Sequence, residues 1–212
     1  MRIQLILALS VALALTGCQT VYYGALEKFG IEKRDVLVDR VEDARNQQTE
    51  TKETFTDALE AFTALSNYEG GELEATYDKL SDAYNASKRE AERVADRIDA
   101  VEKAADALFA EWEVELGQYS NASLRRQSED ALRETRSAYS QLVQKMRRAE
   151  SSMRPVLDVF QDQVLFLKHN LNARAIAALD AEVSAIQSQV NRLVSEMEAS
   201  INEANAFIER MQ

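Results

Sequence analysis

Between residues 73 and 112 the chain repeats an apolar side chain every seven residues, in two interleaved series. Leu73, Leu80, Ser87, Val94, Val101 and Leu108 form one, and Tyr77, Tyr84, Ala91, Ile98, Ala105 and Trp112 the other. Alternating steps of four and three residues put both series on one narrow stripe of an α-helix, because 3.6 residues complete a turn. A stripe sustained this long predicts a single long helix whose partner is another helix. Ser87 is the one polar member of the two series, and a serine in such a seam costs little. No period-two alternation of the kind a strand requires appears in the chain.

The segment before it repeats the pattern more loosely. Val41, Gln48, Phe55 and Phe62 alternate with Leu37, Ala44, Thr51, Ala58 and Leu65. Gln48 and Thr51 predict a less tightly packed layer in the middle of that helix. Asn67 to Gly71 (NYEGG) supplies a turn, since glycine ends helices readily. A second break falls at GQYSNAS, residues 117–123, where Ser120 or Asn121 is placed to cap the next helix. That helix carries Leu124, Ser128, Ala131, Thr135, Ala138, Leu142, Met146, Ala149 and Met153, then meets Pro155, where a kink or restart is expected. The pattern resumes through Val156, Phe160, Val164 and Leu167. A last segment runs Leu179, Val183, Ile186, Val190, Leu193, Met197, Ile201, Ala204, Ile208 and Met211, with Asn170 or Asn172 at its start.

The expected fold is therefore all-α: an elongated antiparallel bundle of about four long helices with coiled-coil-like seams. One Pro and six Gly in 212 residues agree with few turns and long elements. Charge points to a specific pairing. Residues 72–119 hold thirteen acids and six bases, whereas residues 121–154 hold eight bases and four acids. An antiparallel hairpin would lay the two stretches side by side, which specifies pairing more than it stabilises. A sharper reading makes the basic stretch a patch for an outside ligand.

The net charge of −11 argues against nucleic acid as a partner, because phosphate binding needs a basic surface. The chain has no GxxxxGK[ST] loop, no GxGxxG and no GxSxG elbow. The sole histidine, His169, lies outside any HExxH spacing. Acid pairs such as Glu72/Glu74 and Asp96/Asp99 sit among bases and read as solvated faces. No catalytic, metal or cofactor residue is therefore assigned, and the protein is expected to be non-enzymatic. One stretch departs from the seams: Lys168, His169, Asn170, Asn172 and Arg174 place five polar groups between apolar runs. They form either an interaction patch at one end of the bundle or a helix junction, where Asn satisfies free backbone groups.

The chain opens with Met1-Arg2 and a mostly apolar run from Ile3 to Leu15. A positive start and a run this short describe a secretory signal, not a membrane span of about 20 residues. Its join, Leu15-Thr16-Gly17-Cys18, resembles the bacterial lipobox. That resemblance implies cleavage before Cys18, the one cysteine, with acylation of its sulfur and of the new amino terminus. Gln19 in place of Asp implies the outer membrane by the same resemblance. The segments GIEKRDVLVDRVEDAR, LFAEWEVEL and MRPVLDVFQDQVLFLKHNLNARAI, with this join, resemble a family of uncharacterised Gram-negative lipoproteins classed as a domain of unknown function, which brings no activity or site residues with it.

The resulting organisation is a signal over residues 1–17, a lipidated anchor and linker over 18–30, and a helical bundle over 31–212. The expected role is a scaffold or adaptor in the cell envelope, anchored on the periplasmic face of the outer membrane and working with an envelope protein. The chain ends Glu209-Arg210-Met211-Gln212, without the terminal Lys of wall-linked lipoproteins, so covalent attachment to the wall is not expected. The alternative is a carrier holding a small apolar ligand between helices, where Ala44, Thr51, Ala58, Ala91 and Ala105 would leave room if they met at one level. Oligomeric state stays open, because the seam from Leu73 to Trp112 would serve equally well between copies.

Overall fold

A computed structural model of the protein describes residues 32–66, 73–170 and 173–212, without the side chains of 65, 66, 73, 76 and 173–181. Cys18, the Asn67–Gly71 turn and Asn172 lie outside the described residues, as does the side chain of Arg174. Four helices account for nearly all of the rest: α1 (Lys33–Ser66), α2 (Leu73–Leu116), α3 (Ala122–His169) and α4 (Ala173–Met211). Each is packed against its neighbours in the order α1–α2–α3–α4 and back to α1.

Side-chain bonds show that every neighbouring pair runs antiparallel. The first residue of α1 meets the end of α2, Lys33 bonding Glu111 at 2.6 Å, while Gln47 meets Glu90. Between α2 and α3, Trp112 donates to Ser128 and Arg147 donates to Glu102. Arg148 pairs with Glu196 across α3 and α4. Lys52–Glu198 and Arg45–Asn205 close the ring between α1 and α4. This is an up-down-up-down bundle.

The apolar seams fill its axis. Leu37, Val41, Phe55, Leu80, Ile98, Val101, Leu142, Met146, Leu193 and Met197 are all closed to solvent. Phe160 of α3 stacks on Phe62 of α1 with ring centroids 4.5 Å apart and on Phe55 at 6.2 Å, across the diagonal of the bundle. Such pairs add about 0.5–1.5 kcal/mol beyond burial.

Asn121 caps α3, its Oδ1 accepting from the backbone N–H of Ser123 at 2.9 Å and of Leu124 at 3.2 Å. Of the kink or restart expected at Pro155, the restart does not occur, for α3 runs through it unbroken. Pro155 and Ser151 both sit on the exposed side. The Ser151 carbonyl that loses its N–H donor therefore faces water, which offsets most of the cost. A second difference concerns the start of α3. Leu124 and Ala131 are exposed and Leu132 is buried instead. The first turns of α3 lie beyond the start of α1, so the direction that hides a side chain there is no longer the axis of four helices.

Halfway along, the core turns polar. Gln47, Gln48, Thr51, Ser87 and Ser200 are buried. The Thr51 and Ser87 hydroxyls donate back to the carbonyls of Gln47 and Ala83, one turn earlier. Ser200 of α4 donates to Gln48 Oε1 of α1 at 2.8 Å, while Gln48 Nε2 is buried without a partner. The layer at Gln48 and Thr51 is thus a buried polar band with one amide group left unpaired.

Removing one half of a buried hydrogen bond costs about 1–3 kcal/mol, whereas replacing both halves is near neutral. Ser200→Ala should lower stability by about 1–2 kcal/mol in urea denaturation. Adding Gln48→Leu to it should restore the midpoint, whereas two additive losses would show that the pair does not act as a unit.

Candidate functional site

Among the described residues no three His, Cys, Asp or Glu side chains converge to hold a metal ion, and no helix is long and apolar enough to cross a membrane. Among the described residues two ends and a groove stand out on the surface.

At one end, Lys168 and His169 form the last turn of α3 and point to solvent. Asn170 closes the helix, its backbone N–H donating to Leu167 O and its side-chain amide donating to Phe166 O at 2.9 Å. Asn170 is therefore a cap, and Lys168 and His169 are the described members of the polar cluster that are free of such a duty. Beside them Leu165 and Phe166 are about half exposed, an apolar neighbour that the polar reading missed. The signal was present. Val164 and Leu167 occupy the seam, so the two large side chains between them fall off it.

The groove lies between α2 and α3, the least closely packed of the neighbouring pairs. Ala91 and Ala95 on α2 face Met153 and Leu157 on α3, with Lys88, Glu92, Glu150 and Arg154 along the rim. It holds about 260 Å³ and is open to solvent. The small residue Ala91 is what makes it, whereas Ala44, Thr51, Ala58 and Ala105 are packed shut in the core.

Below the groove the opposite charges of α2 and α3 meet as their order along the chain led one to expect. Arg147 reaches Asp99 at 2.6 Å, Glu102 at 2.7 Å and Glu150 at 2.9 Å. These bonds, with Glu102 first, strengthen its hold on its proton. Closer to the opposite end, Arg136 pairs with Glu113 at 2.7 Å and lies over the Phe109 ring, which meets Tyr139 edge-on. The basic stretch is thus largely engaged by the protein's own acids.

That opposite end is the α2–α3 turn. Every residue from Glu113 to Gln127 is exposed except Leu116. Val114 is 68% exposed and Leu124 51%, with Tyr119 between them on the turn. Five residues separate Glu111, level with the start of α1, from the end of α2, so the hairpin overhangs by roughly 8 Å. Val114 falls just past the last seam position, Trp112, and that offset was its only trace in the sequence.

Burial, followed by the nearby charges of Glu102 and Asp106, raises the Tyr139 phenol from 10.0 to about 12. The folded state therefore keeps its proton where the unfolded chain has lost it. Its contribution to stability is intact below pH 10 and falls as pH rises from about 10 to about 12. Absorbance titration at 295 nm should show a late tyrosinate component near pH 12 that is missing in Tyr139→Phe.

No curated protein and no solved structure matches this chain. Residues 22–211 match the family described as Protein of unknown function (DUF2959), a span that takes in all four helices. The chain belongs to that family.

Proposed function

We propose that the protein is a lipid-anchored periplasmic lipoprotein of a Gram-negative outer membrane, acting as a non-enzymatic scaffold or adaptor in the cell envelope. One observation carries the reading: a short apolar leader ends at Leu15-Thr16-Gly17-Cys18 and is followed by long amphipathic helices, none of the described ones able to cross a membrane. A thioether-linked diacylglycerol at Cys18, with a further chain on its amino group, supplies the two or more acyl chains that stable anchoring needs. The bundle supports the adaptor role by its length. The 48 residues of α3 span about 72 Å, and the Leu165, Phe166, Lys168 and His169 surface lies at the end away from the start of α1. That surface is where an envelope protein partner would dock.

The α2–α3 groove favours the second reading, a carrier for a small apolar ligand, through its alanine and methionine floor. Its 260 Å³ falls just below the range of about 300–1,000 Å³ in which pockets enclose a ligand, and its open side leaves any occupant wet. Native mass spectrometry of protein purified from cells would show a bound lipid or metabolite if the carrier reading were right.

Cys18→Ser should leave the precursor uncleaved or move the protein out of the outer-membrane fraction, with helical circular dichroism unchanged, because among the described residues the buried seams begin at Val36, well past the anchor. Gln19→Asp should shift the mature protein toward the inner membrane. Normal processing and retention of Cys18→Ser would overturn the anchor, and in-cell photo-crosslinking from residues 165, 166, 168 and 169 that yields no adduct would overturn the adaptor.

A further inference from the structure

The end of the bundle that receives the chain from Cys18 is also the end that exposes apolar side chains on a projecting turn. Lys33, at the start of α1, is bonded to Glu111 only five residues before α2 ends. Beyond that level the α2–α3 hairpin is the one described element that continues, and it presents Val114, Tyr119 and Leu124 to solvent. Lys33 is fifteen residues on from Cys18, a reach of at most about 54 Å when fully extended. The 34 residues of α1 are themselves about 51 Å long. A lipid on Cys18 therefore lies within easy reach of the hairpin, and touches the far end only with its tether stretched along the whole of α1.

We propose that the α2–α3 turn is a lipid-facing foot: Val114, Tyr119 and Leu124 rest in the headgroup zone of the bilayer that holds the Cys18 lipid, and the bundle stands on this end. The inference rests on the acylation of Cys18 proposed above. The charges of the turn fit a bilayer surface without requiring an anionic one. Residues 113–127 contain two acids and two bases, and two of the four are engaged, Glu113 by Arg136 and Arg125 by Glu129. Paired charges lose less on approaching a medium of low dielectric than free ones do. A tyrosine flanked by aliphatic side chains is the composition that settles at the water–lipid boundary, ring in and hydroxyl out. Standing on the turn holds the Leu165–His169 surface at the full length of the bundle from the membrane.

Acylation consumes the one native thiol, so a cysteine introduced into the lipidated full-length protein is a unique site for a label. Ser120→Cys on the turn and Lys168→Cys at the far end would each carry a nitrobenzoxadiazole fluorophore. The proteins would be reconstituted into phosphatidylethanolamine–phosphatidylglycerol vesicles containing a headgroup-nitroxide lipid. The label at 120 should shift to the blue and lose at least half of its fluorescence to the nitroxide, while the label at 168 keeps nearly all of it. Adding Val114→Asp and Leu124→Asp should return the fluorescence at 120 with the protein still floating on the vesicles. A label at 120 that stays bright on protein that floats overturns the foot and leaves the Cys18 anchor standing. Protein that does not float overturns both. Shielding at 120 that appears in detergent and grows with protein concentration assigns the turn to a second copy, and also overturns the proposal.

Discussion

Each helix of this protein has one stripe to hide and three polar sides to keep wet, and the rest of the structure follows from that. A single stripe cannot be buried by folding a helix on itself, and two such helices leave their outer stripe edges wet. Four antiparallel helices arranged in a ring close every stripe on one axis, as Leu37, Ile98, Leu142 and Leu193 show from one helix each. The bundle is long because the stripes are long, with few glycines and one proline to interrupt them.

An apolar seam of repeating heptads has a weakness: it packs nearly as well when slipped by one repeat. The polar band answers this. Gln48 and Ser200 lie on the first and last of the described helices, and their hydrogen bond matches α1 to α4 at one register. Slipping either helix by a repeat would bury both groups among apolar neighbours without a partner, and buried polar groups in helical seams specify register in this way. The ion pairs do similar service between α2 and α3. Arg147, bonded to three acids on two helices, ties together the pair that packs least closely. It stands a turn or so from the groove whose rim includes one of those acids, Glu150.

The two ends of the bundle differ in chemistry as well as position. One is a turn that outruns the four-helix body and shows aliphatic and tyrosine side chains. The other closes on a capped helix end with a basic and apolar surface, Leu165 to His169. A rod with unlike ends suits a protein that holds two things apart.

What the sequence determined by itself was everything periodic: about four long helices, the break at 117–123 with its cap at Ser120 or Asn121, most of the buried positions and the meeting of acidic α2 with basic α3. Periodicity is a local property, and 3.6 residues per turn converts it into a face. What it did not determine was where each face ends and what the polar members of a seam do. Leu124 and Ala131 obey the pattern and are exposed because α3 outruns its partners, a matter of relative helix length that no local window contains. Gln48 and Thr51 interrupt the seam in the sequence, and the fold buries both and bonds Gln48 to Ser200, 152 residues further on. Val114, Leu165 and Phe166 stood off the seams in plain view, yet an off-seam apolar residue is informative only once the fold shows that it is exposed. Register, overhang and the chemistry of the ends are properties of four helices together, and only the tertiary structure decided them.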